Sequence, residues 1–158
     1  MPDMLVQLLK LPPYEAEVAA MRAQGVLLRR ANPFEMTAVR QFILDEFGTG
    51  WADEVITCYS RQPISLIVAI ENGKVVGFGA YEATCRNFFG PTGVKASERG
   101  RGIGRALLIA CMWGLREMGY AYGIIGGAGP VDFYSKVVGA VAIPDSVPGI
   151  YGDLLTRD

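Results

Sequence analysis

Between Ile103 and Met118 the apolar side chains recur at Ile103, Leu107, Ala110, Cys111, Leu115 and Met118, one stripe of a helix, and Gly119 follows as its stop. Ahead of it the period is that of strands. SLIVAI (65–70) and KVVGFGAYEAT (74–84) are apolar, β-branched runs separated by Glu71-Asn72-Gly73, the turn chemistry of a tight hairpin. Residues 87–94 predict another strand, whose glycines and Pro91 point to a bulge or a splay in place of regular pairing. VLLRR (26–30) reads as a strand, Pro33 after the cap residue Asn32 opens a helix to Phe47, and residues 51–60 offer another that ends before Pro63. After the long helix, residues 120–125 predict a buried strand, Gly126 to Gly129 a tight turn and residues 130–138 a short helix. VAIP and GIYGDLL are then expected as two closing strands. The first 25 residues, with a short apolar piece, the Pro12-Pro13 break and a helix over 14–23, look like an extension of this pattern. The order is β-α-α-β-β-β-α-β-α-β-β, and no repeat or low-complexity linker divides it. The expectation is one mixed α/β domain over residues 1–158.

Composition narrows the function classes. The chain of 158 residues is 51% apolar and carries 15 basic against 16 acidic side chains, a net charge of -1. That size and apolar content suffice for a full core. A near-neutral chain has no overall field to attract phosphate backbones or anionic lipid, so neither nucleic acid nor a membrane surface is expected as a partner. No segment approaches the length of a membrane span and MPDMLVQLLKLPP lacks the pattern of a secretory signal, so the expected compartment is the cytoplasm. Three scattered cysteines, Cys58, Cys85 and Cys111, predict no disulfide framework, and no metal site is expected. There is no histidine, which removes Ser-His-Asp and Cys-His catalysis. Carboxylates, tyrosines, cysteines, backbone donors or a cofactor must do the chemistry near neutral pH.

The stretch GVKASERGRGIGRALL poses the sharpest question, because Gly100, Gly102 and Gly104 alternate with arginines where a helix must start. Glycine belongs where a Cβ would block close approach, and a helix N-terminus offers unpaired N–H groups with partial positive charge. Together these make an anion site. The Walker loop fails for want of G-K-[ST], and the dinucleotide fingerprint fails because Arg105 or Leu107 stands where its last glycine belongs. Arg99-Gly100-Arg101-Gly102-Ile103-Gly104, read as R-x-x-G-x-G after a splayed strand and before an amphipathic helix, resembles the acetyl-CoA pyrophosphate loop of the GNAT superfamily of N-acetyltransferases. The resemblance covers roughly residues 26–155.

That resemblance implies an α/β fold, the GNAT fold, with a mixed, mostly antiparallel sheet splayed between its fourth and fifth strands and flanked by helices. It implies acetyl-CoA as co-substrate, the main chain of Thr92, Gly93 and Val94 facing the pantetheine arm, and the pyrophosphate on the main chain of Gly100, Arg101, Gly102, Ile103, Gly104 and Arg105. The Arg99 and Arg101 side chains would help. Tyr134 would stand beside the sulfur as general acid for the departing thiolate. Where many members have an asparagine after the fifth strand, this chain has GGAGP, with Gly127 nearest that place. For the base that accepts the amine's proton, Glu82 is a candidate, on a strand facing the same way as Phe78 and Ala80. Asp53 and Glu54 are others. Cys85 as a nucleophile is disfavoured, since nothing near it in sequence would lower its pKa.

The acceptor side, on the family layout, would be built from Trp51, Tyr59, Tyr81, Phe88, Phe89 and Tyr151, an aromatic and nearly uncharged wall. Such a wall suits a small primary amine, for example an amino sugar or amino acid. The alternatives are acetylation of a protein N-terminus or lysine, and a non-catalytic module that senses acyl-CoA. The extension before Val26 and the GIYGDLL segment would either cover the site or form a homodimer contact.

Overall fold

The computed structural model describes residues 1–156. A seven-stranded sheet runs in the order β2-β3-β4-β5-β6-β1-β7. The strands are β1 (Met4–Gln7), β2 (Val26–Arg30), β3 (Leu66–Glu71), β4 (Lys74–Tyr81), β5 (Phe88–Val94), β6 (Tyr122–Ile125) and β7 (Val141–Ala142). Neighbours are antiparallel except β5 and β6, which pair in parallel. The β3–β4 hairpin closes as its turn residues require, with Asn72 at φ 51° and Gly73 at φ 74°.

The helices are α1 (Tyr14–Ala23), α2 (Met36–Phe47), α3 (Thr49–Glu54), α4 (Ile103–Glu117) and α5 (Val131–Val138). On one face α2 and α3 pack Val39, Ile43 and Ala52 against Leu66, Val68, Phe78 and Ala80. On the other, α4 crosses β3, β4 and β5. Its burial exceeds the predicted stripe, because Ala106, Leu108, Ile109 and Met112 are enclosed as well. Met112 lies near Gly123 of β6, Leu108 lines the space where β5 and β6 part, and α1 packs along α4 as well.

Three expectations change. The N-terminal segment is not an appendage to the sheet: β1 pairs with β6 (Met4↔Ile125) and with β7 (Met4↔Ala142), and Met4 and Val6 are fully buried. GIYGDLL forms a single 3-10 turn, Gly149–Tyr151, and no strand, since Gly149 (φ 59°) and Asp153 (φ 54°) both adopt left-handed backbone. The helix expected over 51–60 divides into α3 and a 3-10 stretch, Val55–Ser60. Among the described residues no helix is long and apolar enough to cross a membrane.

Candidate functional site

The site begins where two strands part. β5 and β6 pair only at Phe88↔Ile124 and Phe89↔Ile125. Gly90 then turns to φ 116°, a conformation open to glycine, and the strands diverge. A cavity of about 630 Å³ fills the gap, running from the loop before α4 to Tyr134.

The loop is built as its glycines suggest. Gly100 (φ 81°) and Gly102 (φ 83°) are left-handed, and Gly102 is the N-cap of α4. The first helical bond runs from the Ala106 N–H to the Gly102 carbonyl, which leaves the N–H groups of Ile103, Gly104 and Arg105 without helical partners at the mouth of the cavity. A Cβ on Gly104 would have only Val94 Cγ2 nearby, at 3.7 Å, so the side of the helix facing the cavity is bare. Together these residues make a cradle for an anion.

The arginines divide their work differently from the expectation. Arg101 turns out of the cavity and pairs with Glu71 and Glu98, each at 2.6 Å, while also donating to the Gln24 carbonyl. Its role is to tie the loop to the β3–β4 turn and to α1, and its two carboxylate partners raise its pKa further. Arg99 and Arg105 do line the cavity, with Arg105 leaning on Glu17 at 3.0 Å. Thr92, Gly93 and Val94 line it too. The Thr92 hydroxyl, however, donates to the Phe78 carbonyl, and a Cβ on Gly93 would lie 2.5 Å from the Phe47 ring. Gly93 is therefore glycine because of α2 packing.

Tyr134, on α5, reaches the far end of the cavity between Phe89 (centroids 6.2 Å apart) and Phe133 (5.4 Å). Burial pushes its phenol above the usual tyrosine range, so it stays protonated at neutral pH. Among the described residues its hydroxyl has no hydrogen-bond partner.

Glu82 is corrected. The strand ends at Tyr81, Glu82 takes φ 56°, and its carboxylate accepts from the Asn87 N–H at 2.6 Å and the Tyr120 hydroxyl at 2.7 Å. It fastens the loop between β4 and β5 and lines neither the main cavity nor its extension. That extension, about 380 Å³, opens from the same splay and shares Trp51, Phe89, Gly90, Pro91, Gly126 and Gly127 with the main cavity. Of the expected aromatic wall, Trp51, Phe89 and Tyr151 are present. Tyr59 is partly buried against the core on the α2 face, and Tyr81 receives a hydrogen bond from Arg30 on the α4 side of the sheet. Phe88 packs against Gly126 and lines no cavity wall. Of the acidic candidates, Glu54 lines the extension, whereas Asp53 pairs with Arg40 at 2.7 Å. Cys85 lines neither space.

One contributor had no signal in the sequence. Asp3 Oδ1 accepts from the Gly127 N–H at 2.8 Å, so the N-terminal segment reaches the glycine that stands nearest the place of the absent asparagine. Gly126 and Gly127 leave room for Tyr151, whose hydroxyl lies 2.8 Å from where a Gly126 Cβ would stand.

Residues 62–137 match the family model described as an Acetyltransferase (GNAT) domain. No curated protein sequence matches the chain. Among solved structures it resembles the GCN5-related glucosamine N-acetyltransferase region of a fungal multi-domain GH3 β-N-acetylglucosaminidase, with TM-score 0.73 and 21% identity over 90% of this chain and 19% of that one. It also resembles a GCN5-related N-acetyltransferase from Sphaerobacter thermophilus (TM-score 0.69, 20% identity, 90% of this chain and 48% of that one). A GNAT family acetyltransferase from Brucella melitensis, solved in complex with acetyl-CoA, gives TM-score 0.52 at 20% identity over 75% of this chain and 88% of that one. The chain thus spans about a fifth and about half of the length of the first two. At these identities the likeness is one of fold.

Proposed function

We propose that the chain, whose residues 62–137 match the family model described as an Acetyltransferase (GNAT) domain, transfers the acetyl group of acetyl-CoA to a small primary amine by direct attack in a ternary complex. One observation carries the reading: three helix N–H groups without helical partners, capped by left-handed glycines, open onto a cavity that leads to a protonated tyrosine. Acetyl-CoA fits this donor set, because a pyrophosphate would sit on the N–H groups of Ile103, Gly104 and Arg105, with Arg99 and Arg105 beside it. When bound, it supplies an activated acyl group whose leaving thiolate is a moderate base.

The residues at the splay supply the rest. Glu54 is the carboxylate on the acceptor side of the cavity and takes the first proton from the amine, directly or through water. The free amine attacks the thioester carbonyl; a C–N bond forms and the C–S bond breaks. Tyr134 protonates the departing sulfur and recovers a proton from the nitrogen through water, so each turnover releases one proton to solvent. The Glu54 role replaces the one expected of Glu82. The aromatic enclosure by Trp51, Phe89 and Tyr151 supports a compact acceptor over a protein surface.

The test is release of CoA thiol in the presence of acetyl-CoA and a panel of amines, alongside calorimetric binding of acetyl-CoA. Turnover of at least one small amine is expected. Failure to bind acetyl-CoA would overturn the reading.

A further inference from the structure

The two ends of the cleft carry opposite chemistry. Arg99 and Arg105 stand at the loop end, whereas among the described residues the acceptor extension has no lysine or arginine in its wall. Among the described residues Glu54 and Tyr151 are the ionisable side chains of its wall, which Met1 also lines. The Glu54 carboxylate is fixed by the Thr84 hydroxyl, which donates to its Oε1. A second acid, Asp3, stands behind the wall with Oδ1 on the Gly127 N–H and Oδ2 within 3.4 Å of where a Gly149 Cβ would be. Burial first, then the negative charge of Glu54 and Asp3, pushes the Tyr151 phenol above its ordinary range. The extension is thus negative and flat-walled: Trp51 is held by Phe47 at 5.3 Å, Phe89 is buried, and Tyr151 is seated over Gly126 and Gly127.

Such a space treats the two charged ends of a ligand very differently. An ammonium group finds a fixed carboxylate and aromatic faces that favour a cation. A carboxylate on the same ligand finds, among the described residues of the wall, no lysine and no guanidinium fork, and it meets Glu54 at close range. Placing like charges together in a low-dielectric site rejects a ligand more strongly than missing contacts do. At about 380 Å³ the extension lies at the small end of ligand pockets.

We propose that the acceptor is an arylalkyl or alkyl primary amine that bears no carboxylate, its ammonium held on Glu54 and its apolar body between Trp51, Phe89 and Tyr151, and that α-amino acids are excluded by charge. The proposal rests on the acetyl-transfer reading above and narrows its substrate class.

The experiment compares ligands that differ in one group: 2-phenylethylamine against L-phenylalanine, and hexylamine against L-norleucine, with glucosamine and a lysine-containing peptide as outgroups. CoA release gives kcat/KM, and calorimetry on the CoA-saturated protein gives binding without turnover. The amine of each pair is expected to exceed its amino acid by at least about 100-fold in both measures. In Glu54→Gln, which keeps the shape and the bond from Thr84, the amine should lose affinity and the gap should shrink about tenfold or more; Thr84→Val should narrow it less. Comparable turnover of L-phenylalanine, glucosamine or the peptide would overturn the proposal and leave acetyl transfer standing. If no ligand is acetylated, acetyl transfer to amines falls. The calorimetric arm then decides the charge selectivity alone: amine binding without amino acid binding upholds it, and no difference between them overturns it.

Discussion

Gly104 offers a perturbation whose effects on stability and on binding have opposite signs. It is the second residue of α4, its φ is not left-handed, and a Cβ there would meet only Val94 Cγ2, at an ordinary 3.7 Å. Gly104→Ala therefore introduces no clash and no strain, and removes the entropic cost of glycine in a helix, up to about 1 kcal/mol. In a domain of this size that raises Tm by about 2–4 °C. The added methyl group, however, stands on the bare side of the helix, where an anion must approach the N–H groups of residues 103–105. Losing one hydrogen bond to a charged group costs about 1.5–3 kcal/mol, or roughly 10- to 100-fold in Kd. Differential scanning calorimetry of the free protein and titration with acetyl-CoA read the two effects separately. A variant with raised Tm and unchanged acetyl-CoA affinity would refute the assignment of this surface to the pyrophosphate. A lowered Tm would show that the open space beside Gly104 is misjudged.

Further outcomes follow from the same geometry. Gly102→Val forces a β-branched residue into φ 83°, at a cost of about 1–2 kcal/mol or more; the acetyl-CoA thermal shift should vanish while far-UV circular dichroism stays that of a folded protein. Tyr134→Phe should lower kcat about 10²- to 10⁴-fold with little change in acetyl-CoA affinity, and full activity in that variant would return Tyr134 to a packing role. Because burial raises the Tyr134 pKa and the proposed mechanism uses the protonated phenol, kcat should hold as pH rises and fall only above about pH 10, with that alkaline limb absent from the residual activity of Tyr134→Phe. Glu82→Ala strands the Asn87 N–H and the Tyr120 hydroxyl, so chemical denaturation should show a loss of about 1–3 kcal/mol, while kcat/KM of the folded protein changes less than about threefold.

The parts legible in the sequence were those whose cause is local. The β3–β4 turn follows from Asn72-Gly73, and the anion cradle from glycines spaced ahead of a helical stripe. The parts that were not legible depend on partners far along the chain. Gly93 accommodates a phenyl ring from α2, and Arg101 answers Glu71 on the hairpin, so both look like ligand contacts until the packing is known. Glu82 continues the alternation of Phe78 and Ala80, and the backbone turn that removes it from the strand has no marker such as glycine. Tyr81 was more readable than it was taken to be. It alternates with Gly77 and Gly79, which lie under Leu107 and Cys111 of α4, and that parity already directs it away from the acceptor side.

The position of β1 sets an order of events on the ribosome. The segment MLVQ leaves the exit tunnel ahead of the other six strands, yet its partners, Tyr122–Ile125 and Val141–Ala142, are made about 120 residues or more later. At roughly 5–20 residues per second that is a wait of about 6 s or longer. Throughout it an apolar tetrapeptide has no neighbour to pair with, and β6, once made, shows a vacant edge until that tetrapeptide returns to it. The earliest of the seven strands to be translated is thus seated only after β6, with β7 added outside it, and Asp3 reaches Gly127 only with that closure. A nascent chain holds an almost complete sheet before the N-terminal segment reaches the cavity that Met1 lines.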